Sequence, residues 1–153
     1  MLELNRISAG YGKQTVLDGI SVDFEKGKLT SIIGVNGCGK STLLKAILGI
    51  LSLSNGEIFI DGENLLTISR NEIAKKIAYL SQGKNIPDMT VEQMVLHGRF
   101  PYLSYPRRYS SHDREVAIKA MEAVGIAEFA HKPLYSLSGG MRQNAYIAMA
   151  LAQ

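Results

Sequence analysis

The amino-acid sequence predicts an α/β fold in which early antiparallel strands lead into an α/β core that a mostly helical stretch then interrupts. Three observations carry this expectation. Gly34-Val35-Asn36-Gly37-Cys38-Gly39-Lys40-Ser41-Thr42 fits G-x-x-x-x-G-K-[ST], the spacing of a phosphate-binding loop. An apolar, β-branched run, Leu29-Thr30-Ser31-Ile32-Ile33, precedes it and reads as a buried strand, while Leu43–Leu48 follows it and reads as a helix. From about Gln82 to Leu134 the pattern turns helical, and Leu137-Ser138-Gly139-Gly140 opens a last apolar helix.

Taken in order, Leu2, Leu4 and Arg6–Ser8 suggest a short strand, Ala9–Gln14 a turn-rich segment, and Val16–Phe24 a second strand. Glu25–Lys28 turns the chain back toward the phosphate loop. After the first helix, Glu57–Glu63 reads as a strand ending in an Asp61-Gly62 turn. Ser69 with Glu72 forms a capping box that opens a short helix through Lys76. Ile77–Ser81 reads as a buried strand with Gln82 at its carboxyl end, where open α/β sheets place ligands and where a glutamine can equally serve only to satisfy a turn. Thr90 and Gln93 form another capping box before Val91–Leu96. Gly98–Tyr109 is irregular. A helix from Ser111 carries Val116, Ala117, Ala120, Met121 and Val124 on one face, and Gly125 stops it. Ala145–Ala152 is apolar nearly all round and reads as a buried helix.

The bulk numbers narrow the class. With 153 residues, one domain is the default. A net charge of +3, from 17 basic and 14 acidic residues, is too weak and too scattered to argue for nucleic acid. No signal-peptide core or membrane-length apolar run is present, and a lone cysteine excludes an internal disulfide. His97, His112 and His131 lack metal-ligand spacing.

The chemistry follows from the loop. Asn36, Gly37, Cys38, Gly39, Lys40, Ser41 and Thr42 are the expected nucleotide-binding residues. Amides of Gly37, Cys38, Gly39 and Lys40 point toward an anion at the positive end of the helix. Lys40 reaches the β- and γ-phosphates, and Ser41 ligates Mg²⁺. Two readings of Cys38 stand together: a thiolate favoured by Lys40 and the amides, whose alkylation blocks ATP, or a small residue tolerated in the loop. Ser138 with bare amides at Gly139 and Gly140 forms a second anion-binding arrangement at a helix start, and the same residues also suit an ordinary helix cap.

Together the phosphate loop, Gln82 and Leu137-Ser138-Gly139-Gly140 resemble the ATP-binding subunit of an ABC transporter, over essentially the whole chain. The resemblance implies a P-loop NTPase core of ABC type with an N-terminal antiparallel β element and an inserted helical subdomain. It divides the chain into 1–81 (core and β element), 82–136 (helical subdomain) and 137–153 (signature motif and helix). It implies ATP and Mg as cofactors, with Tyr11 stacking on adenine. Lys40 and Gln82 become catalytic residues, and Ser41 and Gln82 serve the Mg. Ser138, Gly139 and Gly140 close on the nucleotide of a second, head-to-tail ATP-binding subunit. Membrane permease subunits and, indirectly, a substrate-binding protein are the other partners, at the cytoplasmic face of the membrane, with no nucleic acid. Gly98-Arg99-Phe100-Pro101-Tyr102-Leu103 is similar to the insert of importers of iron–siderophore, haem or vitamin B12 type, so an iron chelate is the expected cargo.

This chain departs from the pattern at Met141, where the family usually has glutamine or glutamate, and at Asn144, where a basic residue is common. It also stops at Gln153, before the family's magnesium-supporting aspartate, water-polarising glutamate and switch histidine. The expectation is therefore a C-terminally truncated domain in which the strand before the phosphate loop lacks its ladder neighbours, with poor stability and absent or very low hydrolysis. The competing readings are a non-transport ABC ATPase and a non-catalytic nucleotide-binding fragment. A soluble nucleotide kinase would share the phosphate loop but has no reason to carry Leu-Ser-Gly-Gly.

Overall fold

The computed structural model describes residues 1–81 and 86–153. It divides into two compact units, Met1–Lys76 and Ile77–Gln153.

The first unit is built on β1 (Leu2–Tyr11), β2 (Gln14–Phe24), β3 (Asn55–Ile60) and β4 (Glu63–Asn64), an antiparallel sheet of order β2-β1-β3-β4. Apolar side chains at Leu4, Ile7, Ala9, Leu17, Ile58 and Ile60 are buried and form the core with α1 (Lys40–Ile47) and α2 (Arg70–Lys76). Asp61 and Gly62 both have positive φ, 52° and 82°, which suits a tight turn between β3 and β4. The Ala9–Gln14 stretch is shorter as a turn than expected. Ala9, Gly10 and Tyr11 continue β1, Gln14 already belongs to β2, and Tyr11 pairs with Gln14 across Gly12-Lys13. That correction places Tyr11 on the last rung of a hairpin.

Two expected strands do not form. Leu29–Ile33 joins no ladder, and Leu29 and Ile33 are 97% and 92% exposed. Ile77–Ser81 likewise joins no ladder, and Tyr79 and Leu80 are more than a third exposed. The cause is pairing, not composition. Among the described residues every ladder belongs to the antiparallel sheet, and no strand lies beside these runs to satisfy their backbones.

The second unit packs α3 (Val91–His97), α4 (Ser111–Ala123) and α5 (Gly139–Ala152) around Val91, Val95, Met121, Ile126 and Leu134, each buried. Thr90 and Gln93 form the expected capping box. Helix α4 begins at the expected residue, but its cap is Ser110 with Asp113, an Asp in place of the usual Glu or Gln. Gly125, at φ 71°, ends it. Helix α5 is buried along Ala145, Ala148 and Ala152 only, while Leu151 is 58% exposed, so the expectation of burial all round fails. Gly98, at the end of α3, lets the chain come close to α5: a Cβ there would collide with the Met149 carbonyl oxygen.

An ion pair is sealed into this unit. Arg99 Nε meets Asp113 Oδ1 at 3.0 Å, and Arg99 Nη1 donates to the Ala152 carbonyl at 2.7 Å. Asp113 Oδ2 accepts from the Ser110 amide at 2.9 Å and its hydroxyl at 2.7 Å. Among the described residues, no helix is long and apolar enough to cross a membrane.

Candidate functional site

The candidate site starts where α1 begins. Gly37 and Gly39 take φ of 84° and 99°, a region that side chains with a Cβ rarely adopt, so the loop can curl only because these are glycines. Gly39 also packs on β2, where a Cβ would press on Val16 and Leu17. It is the N-cap of α1, and no side chain caps that end. The helix therefore opens with amides and the positive end of its dipole directed at the loop.

Lys40 folds back over this loop. Its Nζ donates to the carbonyls of Gly34 and Val35, both at 2.8 Å, and lies 3.7 Å from Cys38 Sγ. The ammonium is thus held within the loop by weak, exposed acceptors that a stronger anion can replace. Asn36, Cys38 and Ser41 are exposed, and Thr42 is buried against the unit.

Tyr11 is brought to the same helix by the end of β1. It is 48% exposed. Lys45 Nζ donates to its hydroxyl at 3.3 Å and stands 5.5 Å from the ring centroid. A hydrogen bond with the Thr42 side chain, and then one with Lys45, holds the Tyr11 phenol below its ordinary pKa. Tyr11, Asn36, Gly37, Cys38, Gly39, Lys40, Ser41 and Thr42 consequently gather in the first unit. Lys45 is the member that the sequence reading missed. Its signal was available, because Lys45 follows Thr42 by three residues and shares its helix face. Gln82 lies outside the described residues.

Ser138, Gly139 and Gly140 lie in the second unit at the start of α5. Ser138 is the N-cap, and its Oγ accepts from the Met141 amide at 3.3 Å. That bond uses the oxygen as acceptor, so the hydroxyl proton can still be donated to an anion.

The ABC transporter family model matches residues 17–153. The chain belongs to the ABC transporter family. This ABC chain is 40% identical over 153 residues to a petrobactin import ATP-binding protein of Bacillus anthracis, covering 99% of itself and 56% of that protein. It is 41% identical over 149 residues to a ferric enterobactin transport ATP-binding protein of Escherichia coli (strain K12), covering 97% of itself and 55% of that protein. Among solved structures, it superposes on the ADP conformation of an ATP-binding cassette of an ABC transporter with TM-score 0.85 at 26% identity. That match covers 99% of this chain and 64% of the other. The ABC chain thus spans about half the length of the curated relatives it matches.

Proposed function

We propose that this chain is part of the ATP-binding component of an ABC importer, that its cargo is an iron chelate, and that Gly34–Thr42 with Tyr11 hold Mg-ATP. The observation that supports it most is the uncapped start of α1, with Lys40 lodged in a glycine loop at Gly34 and Val35. The residues present fit the nucleotide. Positive-φ glycines leave room for phosphate oxygens, Ser41 offers an exposed hydroxyl for Mg, and Tyr11 offers an exposed ring for the base. The iron chelate rests on the names of the petrobactin and enterobactin relatives.

In this reading Lys40 gives up its loop carbonyls to bind the β- and γ-phosphates, and the loop amides spread the remaining negative charge. Ser41 would hold Mg, which would supply charge neutralisation at the phosphates. Ser138, Gly139 and Gly140 donate to the γ-phosphate of a second subunit, and Gln82 serves the Mg and links the site to the permease. Hydrolysis is proposed for a chain of the relatives' full length, at the cytoplasmic face of the membrane, with permease subunits and, through them, a substrate-binding protein.

Equilibrium titration of the chain with Mg-ATP tests the binding step. Lys40→Ala should weaken binding at least tenfold, the effect of losing about 1.4 kcal/mol or more from a charge-assisted contact. Unchanged affinity would overturn the assignment. Co-purification with a membrane permease separates a transport subunit from a non-transport ATPase.

A further inference from the structure

We propose that Lys45 is a positioning residue: it anchors the Tyr11 ring by its hydroxyl so that a face stays open to the base. The inference rests on the nucleotide reading above and names a residue that the reading does not need. The geometry carries it. Lys45 Nζ is 3.3 Å from the Tyr11 oxygen but 5.5 Å from the ring centroid. The ammonium therefore sits toward the hydroxyl end of the ring and not above its middle. A cation above the middle would compete with a base for the π-face; at the hydroxyl end it orients the ring and leaves the face exposed.

Thr42 is buried one turn before Lys45 on the same face of α1, so Lys45 projects from a helix face anchored in the unit. Tyr11 itself ends β1 beside a two-residue turn and is half exposed. Left alone, such a ring would lose rotamer freedom when a base stacks on it. Held from α1, it has lost that freedom already, so stacking costs less. Lys45 lies in the second turn of α1, beyond the loop, whereas Lys40 is the lysine lodged among the loop carbonyls. The prediction is that Lys45 affects the base and not the phosphates.

Titration with Mg-ATP and with Mg-tripolyphosphate, which has no base, separates the two. Lys45→Met should weaken ATP about two- to tenfold, the fold-change for one side chain that must be ordered on binding. Tripolyphosphate affinity should stay within about twofold, below the threshold at which a lost charged contact would show. Lys45→Arg should restore ATP binding. In a Tyr11→Leu background, Lys45→Met should have no further effect, because the ring it positions is gone. Equal weakening of both ligands would make Lys45 a phosphate ligand and overturn the proposal. So would an unchanged ATP affinity, or an undiminished effect in the Tyr11→Leu background. If the unsubstituted chain binds neither ligand, the nucleotide reading falls, and this inference with it.

Discussion

Arg99→Met tests how far one sealed ion pair holds the helical unit together. Arg99 and Asp113 are 8% and 6% exposed, and the arginine fork serves Asp113, the Ala152 carbonyl and the face of the Tyr102 ring, 3.8 Å away. Methionine keeps much of the stem but removes every donor. One carboxylate oxygen and the carbonyl near the end of α5 are then left without Arg99. Removing one partner of a buried pair costs about 3–5 kcal/mol. The two Ser110 bonds to Asp113 Oδ2 survive, so the low end, about 3 kcal/mol, is expected. Against a total of about 5–15 kcal/mol, that is a large share. Urea unfolding followed by far-ultraviolet circular dichroism reads it directly. With a slope of about 1–2 kcal/mol/M, the midpoint should fall by roughly 1.5–3 M. Adding Asp113→Asn to Arg99→Met should recover part of the loss, because no uncompensated charge is then buried. A midpoint that moves by less than about 0.3 M, or a double variant no better than the single, would refute the reasoning.

Acid should reach the same site by another route. The Ser110 hydroxyl first, and Arg99 after it, holds the Asp113 carboxyl at about 2 against an ordinary 3.8. A lowered carboxyl pKa stabilises the fold fully above the unfolded value, and that part is lost as pH falls from about 4 through about 2. Burial of the carboxylate opposes that shift, so the net share is taken as about 1 kcal/mol. Ser110→Ala should move the acid transition to higher pH and cost about 1 kcal/mol at neutral pH through the lost cap; an unmoved transition would refute this. For the loop approach, Leu29→Ser with Ile33→Ser should reduce the binding of a hydrophobic dye yet change the stability of the 153-residue chain by less than about 0.5 kcal/mol. Ile58→Ala, at a buried sheet position, should cost about 2–5 kcal/mol. A comparable loss from the Leu29 and Ile33 changes would show that these side chains are packed in solution.

Whether a feature could be read from the sequence depended on how locally its cause is encoded. The bend before α1 was legible because Gly37 and Gly39 must adopt positive φ, which a side chain resists. The start of α3 was legible because both halves of its cap, Thr90 and Gln93, lie within one turn. The Ser110 cap was missed because its reciprocal partner is Asp113, and the reading looked for Glu or Gln. Leu29–Ile33 and Ile77–Ser81 failed for a deeper reason. An apolar β-branched run reports what a strand could bury, but a ladder needs a second strand, and the run's own letters do not say whether one is present. The same holds for side-chain partnerships. Arg99 and Asp113 are 14 residues apart, and Tyr11 and Lys45 are 34 apart. The first pair meets only once α3, α4 and α5 have packed. The second meets only because β1 runs on to Tyr11 instead of ending in a longer turn, and that extra length sets the ring beside Lys45. Sequence motifs thus marked the glycine loop of the candidate site, whose shape is set by backbone conformation. The placing of Tyr11 against α1 depends on a hairpin register and one helix face, and those emerge only from the fold.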